Sequence, residues 1–185
     1  MQATDSSPIS PLERLVARAE QLMQRIEAVL PQPLQAPADW GAAIAWRYRK
    51  RANGCGVLEP VRHVGAMQLS DLQNIDAQKE KIARNTEQFV QGRTANNVLL
   101  TGARGTGKSS LIRACLHSYA AQGLRLIEVD KADLTDLPDI VDVVAGRSEK
   151  FIIYCDDLSF EEGEPGYKAL KSILDGSVAA PEPKL

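Results

Sequence analysis

Val98-Leu99-Leu100-Thr101-Gly102-Ala103-Arg104-Gly105-Thr106-Gly107-Lys108-Ser109-Ser110 decides the fold. An apolar run enters a glycine, and Gly-Lys-Ser follows four residues later. Leu111, Ile112, Cys115 and Tyr119 then recur at helical spacing. A strand, a glycine-rich loop and a helix in this order form the setting of a phosphate loop. Gly102, Gly105 and Gly107 let the backbone turn tightly and point its N–H groups at phosphate oxygens. The helix that follows adds the partial positive charge of its N-terminus. The loop residues Gly102, Ala103, Arg104, Gly105, Thr106, Gly107, Lys108, Ser109 and Ser110 are therefore the expected contacts of ATP. Lys108 reaches the β- and γ-phosphates and the Ser109 hydroxyl ligates Mg²⁺.

Outward from the loop, a second apolar run, Phe151 to Cys155, ends in Asp156-Asp157. A strand tip carrying a carboxylate is what a phosphate-loop enzyme uses to hold its metal, which assigns Asp156 to Mg²⁺. Asp157 is the candidate for polarising the attacking water, and with Lys108 makes the expected catalytic pair. The competing reading puts Asp157, Glu161, Glu162 and Glu164 in a solvated acidic loop. Asp130-Lys131-Ala132-Asp133 resembles a guanine-reading motif, but it precedes the Asp156 strand and starts with Asp, so it reads as a solvated turn.

Between these landmarks the chain alternates. Helices are expected over 70–92, 107–121, 136–145 and 166–175, the last closed by Gly176, and strands over 97–101, 124–129 and 151–155. Strands alternating with helices predict an α/β fold, a three-layer P-loop NTPase with a mainly parallel sheet. Residues 70–185 form this core and residues 1–69 a helical N-terminal section. Ser10, Pro11 and Glu13 open a helix there. Leu12, Leu15, Val16, Ala19, Leu22, Met23, Ile26 and Leu30 give it one apolar stripe. The stripe packs on the core, the favoured reading, or on a partner. Pro31, Pro33 and Pro37 make a stiff spacer over 31–38. A second, weaker helix is expected over Trp40 to Arg51.

Composition narrows the function classes. The 185 residues include 22 Lys and Arg against 24 Asp and Glu, a formal net charge of −2. That balance gives no general attraction to nucleic acid or to an anionic membrane. No apolar run approaches the length of a membrane span, and no basic flank leads into an apolar stretch at the N-terminus. Cys55, Cys115 and Cys155 are odd in number and far apart, so they read as free thiols in a reducing cytoplasm. Arg47, Arg49, Lys50 and Arg51, interleaved with Trp46 and Tyr48, could serve nucleic acid or an acidic partner, but a solvated helix end whose aromatics pack inward is favoured. His63 and His117 are isolated, which leaves no zinc spacing.

Residues 72–178 resemble a prokaryotic family of predicted AAA+ ATPases known as a domain of unknown function. The resemblance rests on Asn74-Ile75-Asp76 with Gln78-Lys79, Asn85-Thr86, Phe89, Asn96-Asn97 leading into the loop, and Gly123 to Val129. It also rests on Asp156-Asp157-Leu158-Ser159-Phe160-Glu161 and on Tyr167 to Leu174. It implies that Ile75 and Asp76 border the adenine, that ATP hydrolysis drives remodelling or assembly of a protein partner, and that a longer form builds an oligomeric ring. The family pattern continues into a fourth strand with a polar sensor, an arginine finger, a fifth strand and a helical lid, and this sequence carries none of them. The chain therefore reads as a truncated AAA+ core with little turnover. Its first and third strands pair directly, or the sheet stays open with apolar surface exposed. The alternative is a nucleotide-regulated module that binds protein or nucleic acid without turnover. A P-loop kinase has no acceptor-site signature to support it.

Overall fold

The computed structural model describes residues 10–30, 34–159 and 164–174. Pro31 and Pro33 of the spacer, Glu161 and Glu162 of the acidic loop, the stop at Gly176 and the tail from Pro181 lie outside the described residues. The chain divides into two compact units between residues 32 and 33.

The first unit holds helix α1, Pro11–Val29. Ser10 and Glu13 form the expected reciprocal cap. The Glu13 N–H donates to Ser10 Oγ at 3.2 Å and the Ser10 N–H donates to Glu13 Oε2 at 2.7 Å. The apolar stripe of α1 is exposed.

The second unit is built on a four-stranded sheet in the order β2-β1-β3-β4. Its strands are β1 (Ala45–Lys50), β2 (Gly56–Pro60), β3 (Leu124–Glu128) and β4 (Lys150–Tyr154). β1 runs parallel to β3, β3 runs parallel to β4, and β2 is antiparallel to β1. Four helices flank the sheet: α2 (Asp76–Val90), α3 (Lys108–Tyr119), α4 (Leu137–Val144) and α5 (Pro165–Leu174).

The period of two along each strand sorts the helices into layers. Leu124 and Leu126 point to one face, where they pack with Leu116 of α3 and Phe89 of α2. Ile127, Phe151 and Ile153 point to the other. There they meet Leu137, Ile140 and Val144 of α4, with Leu170 and Ile173 of α5 against them. This is the expected three-layer α/β architecture with a mostly parallel sheet, in keeping with a P-loop NTPase-like fold.

Two expected elements differ. The helix expected over Trp40 to Arg51 is strand β1, preceded by a single 3₁₀ turn at Trp40–Ala42. Trp46 and Tyr48 point into the core beside Ile127 and Phe151. Arg47, between them, faces the other way and pairs with Glu128 of β3 at 2.8 Å. Alternation that places two aromatics inside and their neighbours outside is satisfied by a strand and not by a helix. The section before residue 70 is thus not wholly helical, because its hairpin extends the same sheet.

The second difference is residues 97–101, which form no strand. Val98 and Leu99 are 44% and 75% exposed. Leu100 alone turns inward, against Ile82, Leu111 and Cys115. A strand needs a neighbour for its ladder, and among the described residues none lies beside this segment. The sheet ends at β4, so the open-sheet alternative is the one observed.

Candidate functional site

The loop from Gly102 to Ser109 joins the unpaired segment to α3. Gly105 and Gly107 have φ of 80° and 86°, in the left-handed region that suits glycine. Gly107 is the N-cap of α3. No side chain caps this end, and the first turn carries no acidic residue. The first backbone N–H groups of a helix have no partner within it, so this uncapped end suits an anion. The loop is tied to itself by side chains. Lys108 Nζ donates to the carbonyls of Gly102 and Ala103, each at 2.8 Å, and Thr106 Oγ1 donates to the Ala103 carbonyl at 2.8 Å.

β4 delivers the carboxylates. Ser109 Oγ donates to Asp156 Oδ2 at 3.0 Å, and Tyr154 Oη donates to Ser109 Oγ at 3.0 Å. The Asp157 N–H donates to Asp156 Oδ1 at 3.0 Å. Burial pushes the Asp156 carboxyl up. The hydrogen bonds from Ser109, Tyr154 and the Asp157 backbone, with the nearby Lys108 charge, outweigh it and hold the group below the usual carboxylate range. Burial is also the main reason the Tyr154 phenol is pushed up, so it stays a donor.

Asp157 sits at φ 57°, a left-handed conformation that costs a non-glycine residue energy. Its Oδ2 accepts from Arg104 Nη2 at 2.7 Å, but both side chains are largely exposed, at 77% and 90%. Solvent screens such a pair, so it adds little stability. Its consequence is positional, because Arg104 holds one of the two Asp157 carboxylate oxygens.

The donor set fits the groups the motif implies. A hydroxyl and a carboxylate side by side are hard oxygen ligands of the kind Mg²⁺ takes. Uncapped amides and a lysine beside them suit a phosphate chain. Ser109 and Asp156 could hold the metal, and the loop amides with Lys108 the phosphates.

A profile described as "Protein of unknown function (DUF815)" matches residues 41–184. The chain belongs to this family. Among curated proteins, the Replication factor C large subunit of Sulfolobus acidocaldarius is 37% identical over 81 residues. The alignment covers 43% of this chain and 18% of that relative's length. No solved structure matches this DUF815 chain significantly.

The remaining expected residues fall elsewhere on the DUF815 core. Ile75 precedes the first turn of α2, and Asp76 pairs with Lys79 at 2.7 Å. Neither makes a hydrogen bond or ion pair with the loop among the described residues. α2 lies beside the loop's helix through Ile82, which clusters with Leu111 and Cys115 of α3. The basic cluster is partly neutralised: Arg47 pairs with Glu128, and Lys50 pairs with Asp136 at 2.8 Å. Lys131 of the guanine-like motif pairs with Glu164 at 3.1 Å. Among the described residues no group of three His, Cys, Asp or Glu could hold a metal, and no helix is long and apolar enough to cross a membrane.

Sequence reasoning missed Tyr154. The signal was available, since residues two apart on a strand share a face and Tyr154 stands two before Asp156. It also missed the pairing of Arg104 with Asp157, which joins positions 53 residues apart.

Proposed function

We propose that this chain is an ATP- and Mg²⁺-binding domain of the AAA+ ATPase kind, acting in the cytoplasm. It couples nucleotide binding or hydrolysis to remodelling or assembling a protein partner. The observation that carries the reading is the Ser109–Asp156 hydrogen bond, which joins the end of the glycine loop to the tip of β4. The partial match to a replication factor C large subunit supports the general class. The loop amides from Gly102 to Ser110 and Lys108 bind the phosphates, Ser109 and Asp156 bind the metal, and Asp157 orients water. Bound Mg²⁺ would neutralise phosphate charge. Tyr154 fixes the Ser109 hydroxyl toward that metal position. Ile75 and Asp76 border the base. Subunits of this kind assemble into a ring.

A second reading is a nucleotide-regulated binding module without turnover. The Arg104–Asp157 ion pair favours it, because the water-orienting carboxylate is engaged. Fluorescent ATP binding and phosphate release, measured on the same protein, separate the two. Mg²⁺-dependent binding lost in Lys108→Ala supports the nucleotide site. Turnover lost in Asp157→Asn supports the ATPase, and binding with no turnover at all supports the module.

A further inference from the structure

Residues 97–101 lead into the glycine loop without a strand ladder. Among the described residues no backbone-to-backbone hydrogen bond reaches residues 94–101. A run that carries Gly102 to a phosphate chain still needs an anchor, because an untethered one would have to be ordered by the ligand. Its apolar anchors lie on the helices and not on an adjoining strand. Ala95 is buried in the cluster that holds Phe89 of α2. Leu100 packs against Ile82 of α2 and Leu111 and Cys115 of α3.

One side chain supplies the hydrogen bonds. Asn85 Nδ2 donates to the Asn96 carbonyl at 2.8 Å, and the Asn96 N–H donates to Asn85 Oδ1 at 2.9 Å. Both backbone groups of one residue are thus met by one carboxamide. A neighbouring strand makes the same exchange with a hydrogen-bonded residue of an antiparallel ladder. A carboxamide can do so because it carries a donor and an acceptor side by side. The face of α2 places it. Asn85 follows Ile82 by three residues and precedes Phe89 by four, at the edge of the buried stripe of Ile82, Thr86 and Phe89. Asparagine is a poor residue for the middle of a helix, and here its side chain leaves its own helix for the lead-in.

The far end of the lead-in is the site. Lys108 Nζ donates to the carbonyls of Gly102 and Ala103, directly after residues 97–101. We infer that Asn85 is a positioning residue of the glycine loop: its carboxamide replaces the strand neighbour that residues 97–101 lack and sets where Gly102 and Lys108 stand. The consequence for ligand affinity rests on the reading of the loop as an ATP site. A freed lead-in must be ordered on binding, and ordering one backbone residue costs about tenfold in affinity.

Backbone ¹⁵N relaxation, Asn96 amide exchange and fluorescent ATP titration on the full chain test the inference. Asn85→Ala removes both bonds. Water takes them over on the exposed Asn96 backbone, and alanine favours the helix, so the melting temperature should hold. Order parameters over residues 97–101 should fall from about 0.85 to below about 0.6, with β3 and α3 unchanged. Exchange of the Asn96 amide should speed at least tenfold. ATP affinity should fall at least tenfold, equally with Mg²⁺ and in EDTA, because the phosphate cradle and not the metal loses its frame. Asn85→Asp keeps the acceptor for the Asn96 N–H but sets a carboxylate against the Asn96 carbonyl, so it should lose affinity as well. Lys108→Ala should lose affinity while order over 97–101 stays as in the parent, which separates the anchor from the ligand contact.

Unchanged order over 97–101 in Asn85→Ala, a mobile lead-in with parent affinity, or parent affinity in Asn85→Asp would each overturn the inference. A lowered melting temperature with loss of order throughout the second unit would overturn it too, because Asn85 would then serve general stability. A folded parent that binds no ATP overturns the nucleotide reading instead, and the relaxation result alone then decides whether Asn85 holds the lead-in.

Discussion

Ser109 Oγ lies 3.0 Å from Asp156 Oδ2, a hydrogen bond between the first turn of α3 and the second residue past the end of β4. This bond ties the loop to the residues just past the strand tip. Preorganisation of this kind lowers the cost of assembling the site.

The first prediction follows from that contact. Asp156→Asn keeps an oxygen that can accept from Ser109, so the loop stays in place, but it removes the charge that favours a divalent cation. ATP affinity measured in EDTA should change little. The gain on adding Mg²⁺ should shrink at least tenfold, about 1.4 kcal/mol. Titrations with and without the metal make the comparison.

Asp157 separates stability from function. At φ 57° a glycine would relax the backbone, and the lost Arg104 pair is too exposed to matter much. Asp157→Gly should therefore leave stability unchanged or raise it by up to about 1 kcal/mol, while any ATP turnover disappears. A urea melt and a phosphate-release assay on the same preparation check both halves.

Asp136 gives a pH dependence. Burial pushes its carboxyl up, but hydrogen bonds from Lys50 and Tyr48 prevail and hold it below the usual carboxylate range. Tyr48 Oη donates to Asp136 Oδ2 at 2.8 Å, and Lys50 Nζ to the same oxygen at 2.8 Å. A group depressed in the folded state stabilises it above the unfolded value, about 3.9, and loses that contribution as pH falls through the folded value. Asp136→Asn should cost about 1–2 kcal/mol near neutrality, the lower part of the range for a charged hydrogen bond because Lys50 is 44% exposed. The gap to the parent protein should close as the pH drops below about 4. Denaturant melts across pH 7 to 3 read it.

Gly56 has no room for a side chain. A Cβ there would stand 2.6 Å from Tyr48 Oη and 2.7 Å from Tyr48 Cε2. Tyr48 is 2% exposed and belongs to the core cluster, so its ring cannot step aside into solvent. Gly56→Ala should destabilise the fold by about 1–3 kcal/mol, the range for overpacking. A lowered melting temperature, with the tyrosine fluorescence of the folded state altered, checks it.

Much of this was legible in the sequence wherever local pattern and tertiary demand agreed. β3 and β4 were visible as short apolar runs, and α3 through Leu111 and Cys115. α1 was visible through Ser10 and Glu13. The Asp156 assignment came from a strand ending in a carboxylate, and the strand is there. Trp46 and Tyr48 were misread because a six-residue stretch is too short to separate the two periods by inspection. The Asn53-Gly54 pair between β1 and β2 was the hairpin signal, and Gly54 takes φ 80° there. Val98 to Leu100 were misread for another reason. Their residues favour a strand, but strand formation depends on a neighbour that no local pattern reports.

The most direct measurement is the affinity of the 185-residue chain for a fluorescent ATP analogue with Mg²⁺ present, beside Lys108→Ala. Lys108 is half-buried and bonds to carbonyls of its own loop, so the variant should keep its melting temperature. The account predicts saturable binding by the parent and at least a tenfold loss in the variant. Equal binding by both proteins, or none by a folded parent, would contradict it.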